Sequence, residues 1–190
     1  ALSAPYSWKG GSYPGTGTCG TSLAAGATCT VLVTFSPTSL GVHNATVTVN
    51  FDTGLAGSSG SRNVTGTSVA PASLAISDAA YDYGTVATGG SANKTFTITN
   101  SGAVTASAMG GSGLAAPYSF AGGAYPGGGT CSTTLAAAGT CTIIVTFAPT
   151  GTGVQTDTID IAYNDGAQAQ TANRLVTGAG AAPASLAISD

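Results

Sequence analysis

The sequence predicts an all-β chain of tandem immunoglobulin-like β-sandwiches, with about seven strands and one disulfide in each 112-residue repeat. Three observations predict it. Apolar and polar residues alternate with a period of two along short Thr-rich runs, the pattern of half-buried strands. Gly- and Pro-rich turns bound those runs. The chain also repeats itself 112 residues on, without insertion or deletion: Cys19 returns as Cys131 and Cys29 as Cys141, and Pro71–Asp78 recurs letter for letter as Pro183–Asp190. About half of the aligned positions are identical. A unit of that length is a whole domain, so the chain is an array of domains and not a solenoid of small repeats. The frame divides it into the C-terminal part of one repeat (1–70), one complete repeat (71–182) and the first strand of a following repeat (183–190).

Along the complete repeat, Ser73-Leu-Ala-Ile-Ser77 alternates and opens the unit. Tyr81–Val86 follows, and Gly89-Gly90 turns the chain. Lys94–Asn100 places Phe96 and Ile98 on one face and Thr95, Thr97 and Thr99 on the other. Ser101-Gly102 marks the next turn, with a strand expected over Val104–Met109. Leu114–Gly129 reads as a loop carrying Tyr118, Phe120 and Tyr125 among Gly, Ala and Pro. Thr140–Phe147 is the strongest strand, and Gln155–Tyr163 alternates with Ile159, Ile161 and Tyr163 facing one way. Asn164-Asp-Gly166 is a hairpin signal of the type I′ kind, and the last strand is expected over about Gln170–Gly178. The expected core is Leu74, Ile76, Tyr83, Val86, Phe96, Ile98, Leu135, Ile144, Thr146 or Val145, Phe147, Ile159, Ile161 and Val176. No window combines helical spacing with capping residues, so no helix is predicted.

Charged residues make up only 6% of the chain, with 4 Lys+Arg against 7 Asp+Glu. Typical domains carry about 25%. This excludes a phosphate-backbone binder, which needs clustered cations, and so argues against nucleic acid. It equally argues against docking on anionic lipid, and no apolar run is long enough to span a membrane. The cysteine pairs, each ten residues apart, have the wrong spacing for a zinc knuckle. One local disulfide per repeat (Cys19 with Cys29, Cys131 with Cys141) is favoured over pairs of buried thiols. Persistent disulfides belong to oxidising compartments, which makes an extracellular or cell-surface location the expectation.

The string Thr-Cys-x-Thr-x-Leu-Ala-Ala-x-x-Thr-Cys-Thr-(x)2-Val-Thr-Phe-x-Pro-Thr, present in both copies, resembles the bacterial immunoglobulin-like repeats known as choice-of-anchor D. These are related to the abnormal-spindle/hydin (ASH) and major-sperm-protein-like sandwiches. The opening Leu74–Gly102 is similar to that family's first three strands, and Val176-Thr-Gly178 to its terminal strand. The resemblance implies a seven-stranded sandwich, tandem arrays and secretion, and it brings no catalytic residues.

Candidate chemistry is sparse. The single histidine, His43, becomes Gln155 in the next repeat, and Asp157 and Asp160 correspond to Ala45 and Thr48. Neither a triad nor a zinc site can therefore be built from repeated positions, and no enzyme, cofactor or metal is expected. Asp78, its repeat Asp190, and Asp82 lie near the repeat junction but are too few for a strong calcium cage. Arg62 and Arg174 occupy equivalent positions in a nearly uncharged background. They are expected to form a structural ion pair, with Asp78 or Asp82 as partner. The recurring aromatics Tyr6/Tyr118, Trp8/Phe120 and Tyr13/Tyr125 either cover a sandwich edge or a neighbouring subunit, or form a platform for glycan or a cell surface. The function expected is structural: a filament, sheath or adhesin stalk of head-to-tail domains whose partners are other copies or repeats of itself, with strand exchange as one way to complete residues 1–70. The alternative is an adhesion module acting through the Gly/aromatic loop.

Overall fold

The structure, a computed structural model, describes residues 2–188. Asp190, the repeat of Asp78, lies outside them. The chain divides into two compact units, Ala1–Val69 and Ala70–Asp190.

The first unit holds two antiparallel pairs. Strands β1 (Tyr6–Trp8) and β2 (Val33–Phe35) form one, and β3 (Gly41–Asp52) and β4 (Gly57–Ser68) form the other. Tyr6 and Val47 are its buried apolar side chains, while Val31, Val33, Phe35, Val49 and Val64 are only half-buried and Phe51 is exposed.

The second unit holds β5 (Leu74–Ile76), β6 (Tyr81–Ala87), β7 (Ala92–Asn100), β8 (Ser107–Ser112), β9 (Tyr118–Phe120), β10 (Thr140–Phe147), β11 (Gly153–Asn164) and β12 (Ala169–Ala181). These build two four-stranded sheets, ordered β5-β7-β10-β9 and β6-β12-β11-β8. Pairing is antiparallel except between β6 and β12. The sheets enclose one core of Leu74, Ile76, Phe96, Ile98, Met109, Tyr118, Phe147, Ile159, Ile161, Val176 and their neighbours. This is the architecture of an immunoglobulin-like sandwich, in which inward residues of both sheets alternate with outward polar ones.

Six details differ from the sequence reading. Ile144 is not a core residue: Cys141, Ile143, Val145 and Phe147 face inward, and Ile144 shares the outer face with Thr142 and Thr146. The strict period of two forces this, because the already inward Cys141 and Phe147 fix the odd positions. The stretch after Leu114 is not all loop, since β9 adds to the edge of β10 and a single 3-10 turn follows at Ala121–Gly123. The strand expected over Val104–Met109 lies later, at Ser107–Ser112. The last strand continues to Ala181, and the connection after Asn164 is not a two-residue turn. Asp165–Gln168 forms a four-residue loop in which the Asp165 carboxylate accepts the Ala167 and Gln168 amides. Residues 183–188 carry no strand, and Leu186 and Ile188 are exposed.

The chain crosses this unit from one end to the other. The Ala72 amide donates to the Asp165 carbonyl, 2.9 Å away, at the start of β12. The chain leaves β12 at Ala181, thirteen residues along. At roughly 3.3 Å per residue, entry and exit lie about 40 Å apart at opposite ends of the sandwich.

Candidate functional site

The features that recur in both units lie in and around the cysteine loop. Cys19–Cys29 and Cys131–Cys141 are disulfides, each with a Cα–Cα distance of 4.8 Å. Beside them, the hydroxyls of Thr18 and Thr30 lie 3.1 Å apart, and those of Thr130 and Thr142 lie 3.2 Å apart. Each hydroxyl also accepts the backbone amide of its partner residue. The Tyr6 hydroxyl donates to the His43 carbonyl and the Tyr118 hydroxyl to the Gln155 carbonyl, both at 2.9 Å. A glycine follows Val-Thr on the last strand because nothing larger fits. A Cβ on Gly66 would meet the Phe35 ring at 2.7 Å, and one on Gly178 would meet the Phe147 ring at 2.7 Å.

The recurrent aromatics are mostly core. Tyr118 and Phe120 are 2% and 7% exposed, and Tyr6 is buried as well. Tyr118 stacks on Phe147 at 4.8 Å, and the Phe120 ring lies against Gly111 of β8. Tyr125 is half-buried, edge-on to Phe120, with its hydroxyl donating to the Ser132 carbonyl. A flat aromatic platform is therefore not formed in the second unit, since the alternation of β9 turns two of its three rings inward. In the first unit, Trp8 is half-buried and meets Tyr13 edge-on at 5.3 Å, and Tyr13 is 40% exposed. Burial pushes the Tyr118 phenol up to about 12, with the Asp157 and Asp82 charges adding to it, and pushes Tyr83 higher still. Tyr83 donates to the Val145 carbonyl at 2.9 Å.

The expected arginine–aspartate pair is not formed. Arg174 donates instead to the backbone carbonyls of Ile76 and Ala79. Asp78, in the left-handed region with φ 64°, turns its carboxylate to Lys94, 3.2 Å away. That ammonium also stands 4.4 Å from the centre of the Tyr81 ring. Asp82 accepts the amide of Gly84 at 2.8 Å. Lys94 on β7 is thus the cation nearest Asp78, while the turn between β5 and β6 presents its carbonyls to β12 and Arg174. Arg62 stands exposed on β4, opposite Val47.

Two further titratable groups are also tied into the scaffold. Asp157 accepts the amides of Ala115 and Thr158. His43 on β3 lies 3.0 Å from the Ser39 carbonyl through Nε2. Among the described residues no three His, Cys, Asp or Glu side chains gather as a metal site would require.

Sequence reasoning missed Asn100, which is completely buried. Its Nδ2 lies within bonding distance of the carbonyls of Val104, Leu135 and Ala136, and its Oδ1 accepts the amides of Ser73 and Gly102. One side chain joins β5, the end of β7 and the cysteine loop. The signal was its place at the end of an alternating strand, in phase with Phe96 and Ile98, where a polar residue must find partners.

Residues 72–179 match the family described as HYDIN/CFA65/VesB-like, Ig-like domain, which is more than half of the chain. The chain belongs to this family. No curated protein sequence matches it. Solved structures similar to it include the ASH/PapD-like domain 7 of human CEP192, at 18% identity and a TM-score of 0.45, covering 58% of this chain and 87% of that one. Vibrio cholerae VesB protease matches at 18% identity and a TM-score of 0.46 over 57% of this chain, which spans only 32% of the VesB chain. A Porphyromonas gingivalis protein matches at 14% identity and 0.46, covering 77% and 70%. The family fixes the domain as a HYDIN/CFA65/VesB-like immunoglobulin-like sandwich. The chain's two disulfides, one in each unit, require oxidising conditions to form. Among the described residues no helix is long and apolar enough to cross a membrane.

Proposed function

We propose that this is a structural, extracellular repeat protein that forms a filament, sheath or adhesin stalk by head-to-tail joining of its immunoglobulin-like domains. The observation that carries the reading is the path of the chain through the complete unit. It enters beside Asp165 and leaves at Ala181, at opposite ends of the long axis. Successive domains joined by a short Pro-containing link then extend in one direction. What recurs between the repeats is scaffold: disulfide, threonine bridge, tyrosine hold and glycine seat. Neutral Thr, Ser and Asn faces oppose close packing of like copies far less than charged faces do. No catalytic activity is assigned.

The test is electron microscopy of native material. A fibre with an axial repeat of roughly 40 Å per domain, as β12 sets it, supports the reading. Dispersed, non-periodic particles at every concentration overturn it. The alternative, adhesion to glycan or a cell surface, rests on the exposed Tyr13 beside Trp8. Retention on a glycan array that is lost on Tyr13→Ala would favour it.

A further inference from the structure

The two sheets of the second unit end in four edges, and three of them are short or covered. Strands β5 and β9 are three residues long. Beyond β9, the edge of β10 is taken by the segment before the disulfide: the Ile144 amide donates to the Pro126 carbonyl and the Cys131 amide to the Thr142 carbonyl. Beside β8, the Met109 amide donates to the Thr133 carbonyl, and Ala106 bridges to Leu135. The fourth edge is β6. It runs for seven residues and pairs with β12 on one side, and among the described residues no strand pairs with its other side. An uncovered edge of that length is a template for a further strand.

One inserted residue interrupts this edge. Asp82 pairs with Thr177 and Thr85 with Ala179, so three steps along β6 match two along β12. Gly84 adopts φ 68°, which glycine reaches without strain, and its amide is held by the Asp82 carboxylate at 2.8 Å. The insertion does not serve the core. The side chains of β6 that pack against the core are Tyr81, Tyr83 and Val86. With Gly84 removed they would occupy the first, third and fifth places of a regular strand, all facing inward, one residue to one along β12. The remaining order, Tyr-Asp-Tyr-Thr-Val-Ala, is rich in strand formers, lacks Pro and Gly and carries one charge. That is the composition of a segment that pairs with copies of itself.

We propose that Gly84 is an edge guard: its bulge, with the amide tied back to Asp82, keeps β6 of a second copy of the chain from adding to this sheet. Association between copies is left to their faces and ends, and their sheets do not become continuous. The inference concerns the second unit alone and holds with or without a fibre.

The experiment deletes Gly84 from the full chain. The deleted chain should keep the tyrosine near-ultraviolet circular dichroism of the parent. In sedimentation equilibrium its mass should rise with concentration to about twice that of the parent, as a symmetric edge-to-edge pair requires, and amide exchange at residues 82–87 should slow over the same range. Adding Thr85→Lys, at an exposed position of the same strand, should return the mass to the parent value, because an edge lysine opposes pairing. A deleted chain that stays folded and sediments like the parent overturns the proposal. So does loss of the fold, which would make Gly84 a requirement of the sandwich and not an addition to it. Association that Thr85→Lys leaves unchanged overturns it as well, because the contact then lies away from β6.

Discussion

Two adjacent isoleucines give the sharpest test of the sandwich. Ile143 is fully buried and pairs with Phe96 across the inner face, while Ile144 pairs with Thr95 on the outer face between Thr142 and Thr146. Truncating a fully buried isoleucine to alanine removes its transfer free energy and leaves a cavity, at a cost of about 2–5 kcal/mol. For a domain of this size, 1 kcal/mol corresponds to roughly 4–8 °C in Tm, so Ile143→Ala should lower the transition of the second unit by about 10–25 °C. Ile144→Thr keeps a β-branched residue on an outer face already occupied by threonines and should change stability by less than ~1 kcal/mol. The assay is calorimetry or urea unfolding of the full chain. Tyrosine near-ultraviolet circular dichroism follows the second unit, and Trp8 emission resolves the first. Equal shifts for the two substitutions, or a larger one for Ile144→Thr, would refute the facing of β10 and with it the assignment of the core.

Other outcomes rest on the same geometry. Replacing Cys131 and Cys141 by serine should cost roughly 2–3 kcal/mol in the chain-entropy model for so short a loop, measured as a lower urea midpoint in the second unit. Asn100→Ala takes the partner from the Ser73 and Gly102 amides and from the Val104 carbonyl, while the Leu135 and Ala136 carbonyls keep the amides of Ala106 and Gly139; a loss of about 3 kcal/mol is expected in the same measurement. The Tyr118 phenol, raised by burial, contributes stability that is complete below its unfolded value of about 10 and is lost as pH rises through its folded value of about 12. Ultraviolet titration should show it ionising together with alkaline unfolding. Asp165 works in the opposite sense. Hydrogen bonds from Gln168, Gln170 and Ala167 hold its carboxyl below the usual range, so its contribution is present above an unfolded value of about 3.9 and fades as the pH falls through the lower folded value. Asp165→Ala should flatten the acid limb of the stability curve.

Much of the fold could be read from residue order. The period of two in Lys94–Asn100 and Gln155–Tyr163 placed Phe96, Ile98, Ile159 and Ile161 inward, and all four are fully buried. Side chains alternate across any strand, so the pattern is local and needs no tertiary information. Ile144 is the exception to that alternation in the expected core, and the period set by Phe147 excludes it; the other differences lie where local pattern is silent. Tyr118 and Phe120 alternate over only three residues, too few to read as a strand, and only the edge of β10 makes them one. Sequence points Arg174 to a carboxylate because charge is visible in it and the position of backbone carbonyls is not. The turn that brings Ile76 and Ala79 to its guanidinium exists only after β5 and β6 have packed.

The sequence by itself determined the 112-residue period, the all-β class, the pairing of the cysteines in each copy and the near absence of charge. These arise from spacing, alternation and composition, which act between near neighbours or across exact repeats. Tertiary structure decided where the aromatic rings go and what Arg174 and Asn100 hold. It also decided that the second unit is entered and left at opposite ends. Each depends on which strands meet across the two sheets, a relation between residues far apart in the chain that no local pattern encodes.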